Sequence, residues 1–116
     1  MEIQIEEQSP WTVFCLEGNL DRESSPSVYM RFHRELVRGK THFYFDLDGV
    51  EAIEPEGLGV LVRCYKDATS RGGEVGLVHV SKEIEKVLEY TRLDSIFTLA
   101  GSRPLPSDSG PDLEAA

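Results

Sequence analysis

The stretch DLDGVEAIEPEGLGVLVRCYKDAT, residues 46–69, carries the most information in the chain. A strand rich in aromatic residues, THFYFDL over 41–47, runs into it and reads as buried. A short loop then delivers Glu54-Pro55-Glu56 to the start of a helix, with proline preset in φ and carboxylates favoured by the helix dipole. Leu58, Leu61, Val62, Tyr65 and Ala68 form that helix's apolar stripe, while Arg63, Lys66, Asp67 and Arg71 face water. Gly72-Gly73 ends it. A helix N-terminus presents free N–H groups and a positive partial charge, so a phosphoryl group placed there would be held. Gly57 and Gly59 are expected to keep the first turn open to the close approach of another protein.

Working outward, Ile3 and Ile5 alternate with Glu2, Gln4 and Glu6, the period of a strand. Ser9-Pro10 breaks it, and WTVFCLE over 11–17 makes a second strand, with Val13 and Cys15 on one face and Phe14 and Leu16 on the other. The short connection predicts an antiparallel hairpin. GNLDRESSP over 18–26 reads as a loop, with Ser25 as cap and Pro26 at the first helical position. Val28, Tyr29, Phe32 and Leu36 follow at helical spacing, stopping at Gly39. Beyond residue 73, Glu74 to Val80 is a strand. Ser81 caps a third helix bearing Ile84, Val87, Leu88 and Thr91, and Ile96 to Leu99 is a last short strand. The order β-β-α-β-α-β-α-β predicts one α/β domain over 1–100. Its mixed, mostly parallel sheet has four to five strands packed by three helices, with an antiparallel edge. Residues 101–116 are acidic and rich in proline, glycine and serine, and are expected to form a flexible tail.

The bulk composition fits one domain: 116 residues, 40% apolar, enough for a single core. Twenty-one acidic residues against 12 basic give a net charge of −9, and no basic stripe is visible, which argues against nucleic acid and against an anionic membrane surface. No apolar run approaches the ~20 residues that span a bilayer. The N-terminus is an acidic strand and no signal peptide, so the expected location is cytoplasmic. Cys15 and Cys64, outside any C-x-x-C pair, read as reduced thiols in or near the core.

Catalytic chemistry is hard to find. His33, His42 and His79 are scattered without metal-ligand spacing, there is no phosphate-cradling Walker loop, and no G-x-S-x-G elbow. Asp46 and Asp48, two apart at a strand end, project to one side; a metal site is conceivable there, but loop or capping carboxylates are the plainer reading. No activated nucleophile, metal cluster or paired acid and base emerges, so neither enzyme activity nor a cofactor is expected.

Six pieces, in order and at matching spacing, resemble the STAS domain of bacterial anti-sigma-factor antagonists and sulphate-transporter tails. They are LEGNLD (16–21), FDLDGV (45–50), GLGVL (57–61), RGG (71–73), LVHVS (77–81) and VLEYTRLDSIF (87–97). The resemblance implies a regulatory domain that binds a protein, a serine-kinase anti-sigma factor, through the loop before the second helix. In that family the loop typically reads Asp-Ser-Ser-Gly-Leu-Gly, and the kinase phosphorylates a hydroxyl in it. Here the matching residues are Glu54-Pro55-Glu56-Gly57-Leu58-Gly59. Pro55 stands at the usual acceptor and Glu56 next to it, and neither can be phosphorylated.

Three readings of Glu-Pro-Glu stand side by side. Glu56 imitates a permanent charge, though one carboxylate carries less than the about −2 of a phosphoserine. Alternatively, the face serves a constitutive scaffold, or the tripeptide is simply a strong helix start. Ser24, Ser25 and Thr69 are the other hydroxyls that regulation could use. The expected partner-binding set is Asp21 at the rim, Glu54, Pro55, Glu56, Gly57, Leu58 and Gly59, with the exposed side of the second helix. A regulatory subunit of a transporter ATPase is the main rival; a guanine-nucleotide module is a weaker one.

Overall fold

Nearly every strand and helix marked by periodicity forms in the computed structural model, which describes residues 1–100; the tail expected over 101–116 lies outside the described residues. The elements are β1 (Glu2–Gln8), β2 (Trp11–Leu20), α1 (Ser25–Val37), β3 (His42–Ile53), α2 (Pro55–Thr69), β4 (Glu74–Val78), α3 (Lys82–Tyr90), a 3-10 turn (Leu93–Ser95) and β5 (Thr98–Ala100). They build a five-stranded sheet in the order β1-β2-β3-β4-β5. β1 runs antiparallel to β2, and every other neighbouring pair is parallel. Each parallel crossover passes through a helix, or through α3 and the 3-10 turn.

The main core lies on one face of the sheet. Phe14, Leu16, Phe43, Phe45, Leu47, Val75 and Leu77 point from the strands, and α1, α2 and α3 supply Val28, Phe32, Leu36, Leu61, Cys64, Ile84 and Leu88. All three helices therefore join the core on the same side. Trp11, Val13, Tyr44 and Val78, with Cys15 beside them, form a separate cluster on the opposite face, and every one of these residues belongs to a strand. The even-odd alternation of β2 and β3 dictates this split.

Five boundaries differ from the sequence expectation, and one of them is the end of β4, which stops at Val78 and not at Val80 because Val80 already belongs to the turn into α3. β2 continues through Gly18 to Leu20, and β3 continues past Leu47 to Ile53. The two pair in parallel beyond the reach of β4, with register shifts after Cys15 and after Gly18. The stretch after Leu47, expected to be a short loop, is strand, and the ribbon bulges there between Asp46 and Gly49. Gly49 is required there, because a Cβ would lie 2.7 Å from Cγ of Glu17. The first helix is not capped by Ser25. The Asp21 carboxylate instead accepts the backbone N–H groups of Glu23 and Ser24, each at 3.0 Å. At the far end, Ile96 and Phe97 precede the last strand, and the 3-10 turn occupies the approach. Ser81 does cap α3, accepting the Ile84 amide at 3.2 Å.

Candidate functional site

The extension of β2 and β3 decides where the candidate loops lie. Leu20 and Ile53 are register partners at the end of the two-stranded ribbon. The next residues, Asp21 on one strand and Glu54 on the other, therefore leave it side by side. The Leu20 carbonyl oxygen accepts the Glu54 amide at 2.9 Å, which fixes the start of α2 against the end of β2. Ser25 joins the loops from the other side. Its hydroxyl lies 2.5 Å from the Asp21 carbonyl oxygen and 3.2 Å from that of Glu56.

Asp21 shapes the turn more than it offers a contact. Its carboxylate is bound to its own loop, and the Ser24 amide foremost, with Glu23 helping, holds it below the ordinary carboxylate range. Ser24 is buried, its hydroxyl donating to the Asn19 carbonyl at 2.8 Å and accepting the Asp21 amide. Ser24 and Ser25 are therefore both engaged in holding this turn.

The residues expected to meet a partner divide into two groups. Glu54, Pro55, Glu56 and Gly59 are exposed, while Gly57 and Leu58 are buried. Gly57 is needed for packing and does not open the first turn: a Cβ there would lie 2.2 Å from the Leu20 carbonyl oxygen. Gly59 has open space around it. Leu58 anchors the helix in the core. The exposed carboxylate of Glu56 sits in the first turn of α2, where the helix dipole favours it.

Beside these residues runs a groove of about 480 Å³ between the start of α1 and the first turns of α2. Arg22, Tyr29, Met30, Glu56, Gly59 and Arg63 line it. Met30 is 68% exposed, an unusual position for a large apolar side chain. Arg63 does not simply face water; its guanidinium lies over the Tyr29 ring, 3.8 Å from the centroid. The Tyr29 hydroxyl donates to Asp67, and that hydrogen bond, with burial behind it, raises the phenol above its usual range. Arg22 and Met30 were not singled out from the sequence, and Arg63 was read only as part of the exposed side of the second helix. The i, i+4 spacing of Arg63 and Asp67 on one helix face was the available signal, but their common partner on α1 has no local signature.

The remaining candidates lie elsewhere. Asp46 is buried and does not join Asp48 around a common ion; it accepts the Asp48 amide at 3.0 Å and meets Nδ1 of His79 at 2.9 Å. His79 adopts φ 56°, which turns its ring back onto the sheet end. His33 stacks on Tyr29, and His42 packs edge-on against Trp11. Thr69 is exposed at the end of α2, its hydroxyl donating to the Tyr65 carbonyl. Among the described residues, no helix is long and apolar enough to cross a membrane.

The STAS domain family model matches residues 2–104. The chain belongs to the STAS domain family. An anti-sigma F factor antagonist of Paenibacillus polymyxa is 25% identical over 100 residues, covering 85% of this chain and 86% of that protein. The protein TM1081 of Thermotoga maritima superposes with a TM-score of 0.80 at 25% identity, over 88% of this chain and 82% of that one. The Bacillus cell fate determinant SpoIIAA in its phosphorylated form shares the fold, with a TM-score of 0.70 at 17% identity over 87% and 93% of the two chains. This STAS domain thus keeps the family's mixed five-stranded sheet and three helices, and it is an anti-sigma-factor-antagonist-like regulatory domain.

Proposed function

We propose that this STAS domain binds a serine-kinase anti-sigma factor through the exposed start of α2 and the adjoining α1–α2 groove, and that phosphorylation of the loop does not control this binding. The observation that carries the reading is the composition of the surface where the two loops meet. Glu54, Pro55, Glu56 and Gly59 are exposed there and none bears a hydroxyl; the groove alongside is walled by Tyr29, Met30, Arg22 and Arg63, and by Ser25, whose hydroxyl is engaged by the Asp21 and Glu56 carbonyls. An exposed methionine and a tyrosine supply apolar contact, and two arginines with one glutamate supply charge that orients a partner. Gly57 and Leu58 act beneath this surface and the partly exposed Asp21 at its rim, each holding it in place.

Glu56 keeps a fixed negative charge in the first turn of the helix. The domain then behaves as an antagonist held in one binding state, with its affinity set by the partner's own condition. Charge reversal tests the surface: Glu56→Lys and Arg63→Glu, each introduced alone, should weaken binding to the source organism's serine-kinase anti-sigma factors about tenfold or more and steepen or flatten its salt dependence. Retention of full affinity by both variants would remove this surface from the interface.

A further inference from the structure

Helix α1 gathers base in an acidic chain. Arg22, Arg31, Arg34, Arg38 and Lys40 lie in or beside it, in a sequence with 21 acidic residues against 12 basic ones. Carboxylates are therefore plentiful, and two of these bases have one: Arg38 meets Glu35 at 3.6 Å, and Lys40 meets Glu7 at 2.9 Å. Arg31 and Arg34 make neither an ion pair nor a hydrogen bond among the described residues. The Nε–H of Arg31 is moreover buried, and a buried donor without an acceptor costs stability. Two guanidinium groups thus stand one turn apart on α1, and no carboxylate of the described residues neutralises them.

Both arginines line a crevice of about 270 Å³ between α1 and the start of β1. Ser27, Arg31 and Arg34 are spaced i, i+4 and i+7, so they share one face of the helix, and Met1, Ile3 and Met30 supply apolar walls. None of these lining residues is acidic. Glu2, Gln4 and Glu6 alternate with Ile3 and Ile5 and project from the other face of the sheet, and Glu7, on the helix side, is taken by Lys40. Ser27 is exposed, and its hydroxyl makes no hydrogen bond among the described residues, whereas those of Ser24 and Ser25 are spent on the preceding turn.

We propose that this crevice binds a small phosphate monoester, with its phosphoryl group on Arg31, Arg34 and Ser27 and its organic stem along Met1, Ile3 and Met30. The donors decide the head group. A carboxylate carries one charge and two oxygens, and a single guanidinium fork satisfies it. A phosphate monoester at neutral pH carries nearly two charges and three terminal oxygens, which two forks and a hydroxyl share. The space decides the stem. At about 30 Å³ for each water, the crevice has more room than the five heavy atoms of inorganic phosphate fill, and the walls beyond the arginines are apolar. Met30 lines this crevice and also the α1–α2 groove, so the ligand lies against a side chain of the partner surface while its own site stands apart from it.

The test is a titration of the full nitrogen-15-labelled chain with phenyl phosphate at pH 7 and constant ionic strength. Saturable shifts should gather at the amides of Ile3, Ser27, Met30, Arg31 and Arg34, and the Arg31 Nε–H resonance should move downfield as it gains an acceptor. Benzoate, with the same ring but a carboxylate head, should bind about tenfold more weakly or worse, and so should inorganic phosphate, which lacks the stem. Arg34→Gln, on the exposed side of the helix, should weaken phenyl phosphate about tenfold with an unchanged far-UV dichroism spectrum. Arg31→Lys keeps the charge and loses the fork, and should weaken it as well. The absence of a saturable response would overturn the proposal, as would full affinity in both variants or an equal response to benzoate. Shifts centred on Arg22 and Arg63 would overturn it too, by placing the anion in the partner groove. A phosphoserine tripeptide that binds more tightly than phenyl phosphate would refute the small ligand and assign the crevice to a phosphorylated protein segment.

Discussion

The carbonyl oxygen of Leu20 fills the space that a side chain on Gly57 would need, 2.2 Å from the position of its Cβ. The same oxygen accepts the Glu54 amide, so one backbone atom at the end of β2 sets both the entry and the depth of α2. Gly57→Ala therefore pushes backbone against backbone and should destabilise the domain by about 3 kcal/mol. Gly59→Ala, with open space around it, should stabilise the helix by roughly 0.5–1 kcal/mol and yet lower partner affinity if its methyl intrudes on the groove. Urea unfolding of the two variants checks the contrast; equal effects on stability would contradict it.

Acid should loosen the first helix through Asp21. Its folded carboxyl lies below the ordinary value because the Ser24 and Glu23 amides bind the charged form. The stabilisation is thus present at neutral pH, above the unfolded-state value, and is lost as pH falls below about 4 through the lowered folded value. Asp21→Ala should lower Tm at pH 7, and the difference from the parent should shrink at pH 3. Thermal melts at the two pH values measure this; a gap that does not narrow would mean the carboxylate's charge is not what holds the turn.

The two cysteines should behave as different chemical species. Cys64 is fully buried in α2, and that burial, helped by the Asp67 charge, pushes its thiol far above the usual range. It should ignore a thiol reagent at pH 8 in the native protein, because the thiolate is the reactive form. Cys15 is half-buried on the opposite face of the sheet, with its sulfur 3.7 Å from a Glu6 carboxylate oxygen. Reagent counting should find at most Cys15 before denaturation and both afterwards. Reaction of Cys64 in the native state would show that α2 opens.

The Tyr29–Asp67 contact ties α1 to α2 beneath Arg63, and it has its own titration. The hydrogen bond to Asp67 raises the phenol, so the contact's stabilisation is complete below the unfolded value near 10 and is lost as pH climbs through the higher folded value. Ultraviolet difference titration of the parent should show the Tyr29 phenol ionising late, as a step that Tyr29→Phe removes. Asp67→Asn should bring that step back toward the ordinary range, and an unchanged titration would place the effect elsewhere.

The sequence shows the element order clearly because its signals are local. Pro55 after Glu54, Ser81 three residues before Ile84, and the alternation in WTVFC each act within a few residues of themselves. The site was less legible, because its geometry comes from a long-range pairing. The stretch from Asp48 to Ile53 reads as a short loop, but the pairing that ends at Leu20–Ile53 carries the strand on through it, and that register brings Asp21 beside Glu54. Gly57 and Gly59 look alike in GLGVL, and only the position of Leu20 separates a packing residue from a surface one. Arg63 on Tyr29 joins two helices whose register no single segment encodes. The full burial of Trp11 has the same origin, since alternation assigns it a face and says nothing of what covers that face.

The central claim is a binding surface at the start of α2 that phosphorylation does not switch. The most direct test is to titrate the purified protein into a serine-kinase anti-sigma factor of its own organism, before and after incubation with ATP, and to weigh the recovered protein by mass spectrometry. The account predicts the same affinity in both titrations and no added phosphoryl group. Variants with Glu54→Asp, Pro55→Ser and Glu56→Ser combined should gain the group and lose affinity on gaining it. Phosphorylation of the unaltered protein with loss of binding would contradict the account, as would failure to bind any such kinase.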